Sequence, residues 1–101
     1  MVEVRNHDLR ISGRLKAGNI AQGTETITPV ANTPTSVTIS GLDLQGTGTI
    51  TGLCTPVTSV PGTTVLETAV SSVSSSGMDL YIYRTNTTAT KVGWFMIRQR
   101  T

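Results

Sequence analysis

Nowhere in this 101-residue chain do apolar side chains recur every three or four positions, whereas several stretches repeat them every second position. A spacing near 3.6 buries one face of a helix, and a spacing of two buries one face of a strand. The sequence therefore predicts an all-β fold with no substantial helix. Composition agrees. Thr and Ser exceed a quarter of the residues, and Thr, branched at Cβ, favours extended backbone. A chain of this length supports one domain, because two cores would each have too little surface to bury.

Read in order, the alternating runs define the expected strands. In "LRISGRLKAG" Ile11 and Leu15 face a core while Arg10, Arg14 and Lys16 face out. "NIAQG" reads as a loop, and "TETITPV" as a short strand ended by Pro29. "TSVTISGL" turns Val37 and Ile39 inward, and "TITGLC" gives a further strand. In "TTVLETAVSSV" Leu66, Thr68 and Val70 share one face, and Val65, Glu67 and Ala69 the other. "SSSG" is a hairpin turn. "MDLYIYR" then sets Met78, Leu80 and Ile82 against Asp79, Tyr81 and Tyr83. "KVGWFMIR" is apolar on both faces, which marks a central strand. Six or seven short strands separated by turns imply an antiparallel β-sandwich.

Chemistry is sparse. His7 is the single histidine and stands in a polar N-terminal stretch, a poor member for a Ser-His-acid triad. The carboxylates of the middle region, Glu25, Asp43, Glu67 and Asp79, are isolated in sequence, and "LQGTGTITG" lacks the lysine of a phosphate loop. Cys54 is alone, so it reads as a small buried hydrophobe, not a disulfide or metal ligand. These residues predict a chain that is not an enzyme and that uses no cofactor or metal. Basic residues cluster at both ends, with no Lys or Arg between Ala17 and Tyr83. They are few and not interleaved with aromatics, so nucleic acid is not expected as a partner. The N-terminus is too charged for a signal peptide, and no run is apolar enough to enter a membrane.

All four Phe, Tyr and Trp residues fall in the closing stretch "YIYRTNTTATKVGWFMIRQR". Tyr81, Tyr83, Arg84 and Asn86 offer flat apolar rings beside directional hydrogen-bonding groups, a set suited to a sugar, a peptide or a subunit interface. A small sandwich with few large side chains gains most from burying such residues against sister copies.

The succession "RISGRLKAG", "ETITPVANTPTSVTISGL", "VLETAVSSVSSSGMDLYIYR" and "VGWFMI" resembles the H-type lectin domain over residues 9–97. The most specific parts are the pre-turn valine, turn glycine and following strand of "VSSVSSSGMDLYIY", and the closing Trp strand. The resemblance implies a six-stranded antiparallel sandwich that forms a homotrimer with sugar sites near the protomer boundaries. The Thr-rich "ANTPTSVTISGL", "TSVPGTTV" and "YRTNTTAT" are similar to versions of the domain in virion proteins of phages that infect actinobacteria, often minor tail proteins. That implies a tail-tip or fibre accessory for host attachment. A capsid decoration protein and a glycan-binding lectin are the alternatives. Localisation would be the virion after synthesis in the host cytoplasm. On this reading residues 1–8, with Val2, Val4 and Arg5, form an arm that docks to other virion proteins, and residues 9–101 form the domain. The resemblance carries Trp94 over as a core residue only, and the family's sugar contacts do not carry over. "NIAQG" has no acid, "VLETAV" no arginine, and "RTNTTAT" neither an aromatic residue nor a histidine. Any host cell-surface glycan would have to be held by Tyr81, Tyr83, Arg84 and Asn86.

Overall fold

The structure, a computed structural model, describes residues 18–99. The expected arm at 1–8 with Val2, Val4 and Arg5, all but Gly18 of the expected strand at 9–18, with Ile11 and Leu15, and His7 lie outside the described residues. Within them six antiparallel strands run in chain order: β1 (Ile20–Ile27), β2 (Thr35–Ile39), β3 (Ile50–Pro56), β4 (Val65–Ser74), β5 (Gly77–Arg84) and β6 (Thr90–Arg98). They form two three-stranded sheets, in the orders β1-β6-β3 and β2-β5-β4. The chain is all-β, as its periodicity predicts.

β5 and β6 are the central strands, and their sequences show why. A central strand of a sandwich packs its inner face on the opposing sheet and must still present side chains outside. Met78, Leu80 and Ile82 of β5 and Val92 and Met96 of β6 are almost wholly buried and meet between the sheets. Ile27, Ile39, Leu44 and Val65 complete this core, with Val37, Cys54 and Trp94 partly buried against it. The expected inward placement of Val37, Ile39, Leu80, Ile82 and Trp94 is thus observed.

The segments "ITPVANTPTSVTI" and "CTPVTSVPGTTVL" occupy equivalent places. The first carries the chain from β1 to β2 and the second from β3 to β4, each crossing from the β6 sheet to the β5 sheet. Their valines, Val30 and Val57, are both exposed at the same end of the sandwich. The opposite end is closed by the loop at 40–49. There Leu44 plugs the core while the Leu42 and Leu44 amides donate to the carbonyls of Ser76 and Ser75, each at 3.0 Å. Arg98 secures the same loop, donating from Nε to the Gly48 carbonyl at 3.2 Å and from a terminal guanidinium nitrogen to the Leu44 carbonyl at 3.3 Å.

Two local expectations are corrected. "NIAQG" is not a loop: Ile20, Ala21, Gln22 and Gly23 belong to β1 and pair with β6. Gly23 sits opposite Trp94, whose indole lies over it so closely that a Cβ on Gly23 would stand 2.7 Å from the ring. The glycine therefore makes room for a ring within a strand and does not mark a turn. The second correction concerns β4. The register shifts between Val65, which pairs with Arg84, and Glu67, which pairs with Tyr83, leaving Leu66 as the extra residue of a bulge. A bulge reverses the alternation of faces. Val65 is consequently buried and Leu66 is 47% exposed, while Thr68 and Val70 keep an inner placement.

Candidate binding and assembly faces

The two outer surfaces of the sandwich differ in chemistry. On the β2-β5-β4 sheet, alternation brings Tyr81 and Tyr83 to the outside of β5, both half-buried. Tyr81 stands between Ser36 of β2 and Ala69 of β4, and Glu67 lies opposite Tyr83. The small Ala69 leaves a shallow depression of about 190 Å³ lined by Pro34, Glu67, Ala69 and the two tyrosines. Next along β5, Asp79 accepts a hydrogen bond from the Thr38 hydroxyl at 2.7 Å. This face therefore combines two rings with two carboxylates, a surface suited to a hydroxyl-rich or cationic ligand.

Arg84 and Asn86 are not part of it. Arg84 follows the parity of Leu80 and Ile82, points inward and is 6% exposed. Its Nε donates to the Asn86 side-chain oxygen at 2.8 Å and a terminal nitrogen donates to the Thr90 hydroxyl at 2.7 Å. Asn86 also accepts from the Thr88 amide at 3.4 Å. The four expected contact residues thus split into two pairs. Tyr81 and Tyr83 share an outer face, while the buried Arg84 braces the turn between β5 and β6 from beneath, bonded to the exposed Asn86 within it. Strict alternation along "LYIYR" was the available signal. Arg84→Ala is expected to destabilise the fold by about 3 kcal/mol, since it removes a buried stem and leaves the Thr90 hydroxyl without its donor. Thermal unfolding measures this, and a change below about 1 kcal/mol would contradict the bracing role.

On the β1-β6-β3 sheet the outer face carries an apolar stripe flanked by Gln22 and threonines. Phe95 of β6 pairs with Leu53 of β3 and Gln22 of β1, and Ile97 pairs with Ile20 and Thr51. Leu53 is 59% exposed, and Phe95 and Ile97 are each 36% exposed. Beside Phe95, Gly93 contributes no side chain and leaves a trough of about 530 Å³ bordered by Gln22, Leu53, Thr55 and Phe95. Among the described residues the only charge on this face is Lys91, at one end. Phe95 and Ile97 follow from the two-sided apolar pattern of "KVGWFMIR". Leu53 was legible too, being out of phase with Ile50 and Cys54, but went unread as a surface residue.

Among the described residues no three His, Cys, Asp or Glu side chains gather in a group suited to hold a metal ion. Comparison of the chain with protein-family models, with curated proteins and with solved structures finds no match.

Proposed function

We propose that the chain is a phage virion structural protein, a small tail-tip or fibre accessory with a lectin-like fold. In this role it assembles as a homotrimer and contributes to host-surface attachment. The observation that carries the reading is the division of labour between the faces. An apolar stripe of Ile20, Leu53, Phe95 and Ile97 on one sheet suits burial against sister copies, whereas the acidic, tyrosine-bearing face on the other sheet is free for a ligand. Two supports come from the sequence: the resemblance to H-type lectin domains, and the similarity of its Thr-rich loops to phage versions of them. The six-stranded, two-sheet architecture accords with that resemblance. Residues 1–8, through Val2, Val4 and Arg5, would dock the trimer to other virion proteins.

Antibody labelling of purified virions tests the placement. Label at the tail tip is expected. Label over the head would favour the capsid decoration alternative, and virions without the protein would end the virion reading altogether. The depression at Tyr81 and Tyr83, with Glu67 on its rim, favours a glycan as the ligand of the free face. On a glycan array the trimer should bind and Tyr81→Ala should not.

A further inference from the structure

The outer face of the β2-β5-β4 sheet carries negative charge that no basic side chain of the sheet balances. Along β5 the outward positions are Asp79, Tyr81 and Tyr83, and the ladder sets Glu67 of β4 beside Tyr83. Ser36 and Thr38 of β2 and Ala69 and Ser71 of β4 fill the rest of the face. Among the described residues the basic side chains are Arg84, Lys91 and Arg98. Arg84 points inward beneath its turn, and the other two belong to β6 in the opposite sheet. Among the described residues Glu67 and Asp79 therefore make no ion pair, and Asp79 only accepts the Thr38 hydroxyl at 2.7 Å.

Two carboxylates alone make no site, but here two rings stand between them. The faces of a tyrosine ring are negative and draw a cation as a carboxylate does. Glu67 and Tyr83, then Tyr81, then Asp79 thus form one path attractive to positive charge, about 13 Å long at about 3.3 Å per residue. At one end of it lies the depression of about 190 Å³ lined by both rings, Pro34, Ala69 and Glu67. Pockets that enclose drug-sized ligands measure ~300–1,000 Å³, so this one accepts a single unit of a longer chain.

We propose that the saccharide held on this face is an amino sugar with a free, protonated amine, selected by Glu67 and Tyr83. The proposal rests on the glycan reading above and narrows it. Charge complementarity argues for the ammonium, which meets a carboxylate and a ring together, with no Lys or Arg on the sheet to repel it. The hydroxyls of Ser36 and Ser71 on either side of β5 can bond the hydroxyls of adjoining sugar units, which a lysine side chain lacks. A uronic acid or a phosphorylated sugar meets the same carboxylates without a compensating cation and is repelled. N-acetylation removes the charge and loses both contacts.

Calorimetry of the full-length chain with soluble ligands tests this. The probes are a glucosamine tetramer, its N-acetyl counterpart, a galacturonic acid tetramer and, as a peptide of similar charge, tetralysine. The glucosamine tetramer should bind at least about tenfold more tightly than each of the others. Glu67→Gln should cut that preference to about twofold or less. Asp43→Asn, which removes the same charge from the exposed loop at 40–49, should leave it intact. Equal binding of the two glucosamine forms would overturn the amine and leave the glycan reading standing. Tetralysine as tight as the glucosamine tetramer would overturn the sugar, and a preference that survives Glu67→Gln would overturn Glu67 as its source. Binding of none of the saccharides would overturn this inference and the glycan reading together.

Discussion

Replacing Gly77 by alanine is expected to cost about 3 kcal/mol or more and to lower the melting temperature by about 15 °C. Gly77 opens β5 directly after the Ser75–Ser76 turn, at φ 157°. A Cβ there would fall inside the van der Waals envelope of the Ile39 carbonyl oxygen, an atom of backbone that has no rotamer by which to escape. The strand pair would have to part where Ile39 meets Met78, and both side chains belong to the core. Gly41 supplies the control. Its φ of 79° is unfavourable for an L residue, but no atom lies within 4 Å of where a Cβ would stand. Gly41→Ala should therefore cost only about 1 kcal/mol, the penalty of left-handed backbone alone. Thermal melts at one protein concentration compare the two. A Gly77→Ala protein that melts as Gly41→Ala does would show that the corner yields where it is held here to be rigid.

The second large effect concerns assembly. Phe95→Asp places a carboxylate at the centre of the apolar stripe, between Leu53 and Gln22. Residue 95 faces outward, so the fold tolerates the change in an isolated protomer, whereas an interface built on this face does not. Loss of a central aromatic anchor typically costs 2 kcal/mol or more, and burying an unpaired charge adds to it. Association should weaken by roughly 30-fold or more. Sedimentation velocity across a dilution series measures this. Tyr81→Asp, on the opposite sheet, should leave the association unchanged. If Tyr81→Asp dissociates the protein and Phe95→Asp does not, the roles of the two faces are reversed.

Much of this architecture is legible in alternation alone. "MDLYIYR" and "KVGWFMIR" carry a signal strong enough to fix their faces, and the apolar outer positions of "KVGWFMIR" mark it as central. Where reading failed, the cause lay in contacts distant in sequence. Gly23 looks like a turn residue until Trp94, far along the chain, is seen to need its space. Leu66 looks like the partner of Thr68 and Val70 until the bulge opposite Tyr83 and Arg84 shifts the phase. No local pattern announces a bulge, because the extra residue is defined only against the partner strand. Arg84 is a different case. Its parity with Leu80 and Ile82 was visible, but grouping it by chemistry with Tyr81, Tyr83 and Asn86 passed over that parity. The structure resolves the conflict with hydrogen bonds to Asn86 and Thr90, which satisfy part of the guanidinium under the turn.

The two faces also give the charge distribution a meaning. Along the chain the middle is acidic and the ends are basic. In space Glu67 and Asp79 lie on the outer face of the β5 sheet, while Arg84 and Arg98 are spent inside the fold. The apolar face carries only Lys91 among the described residues, so little desolvation of charge opposes its burial.

Self-association through the β1-β6-β3 face is the claim on which the functional reading stands. The mass of the full-length chain in solution at micromolar concentration, by light scattering, addresses it most directly. Three protomers per particle is the expected result, falling to one on introduction of Phe95→Asp. A wild-type chain that stays a folded monomer at the same concentration would contradict it.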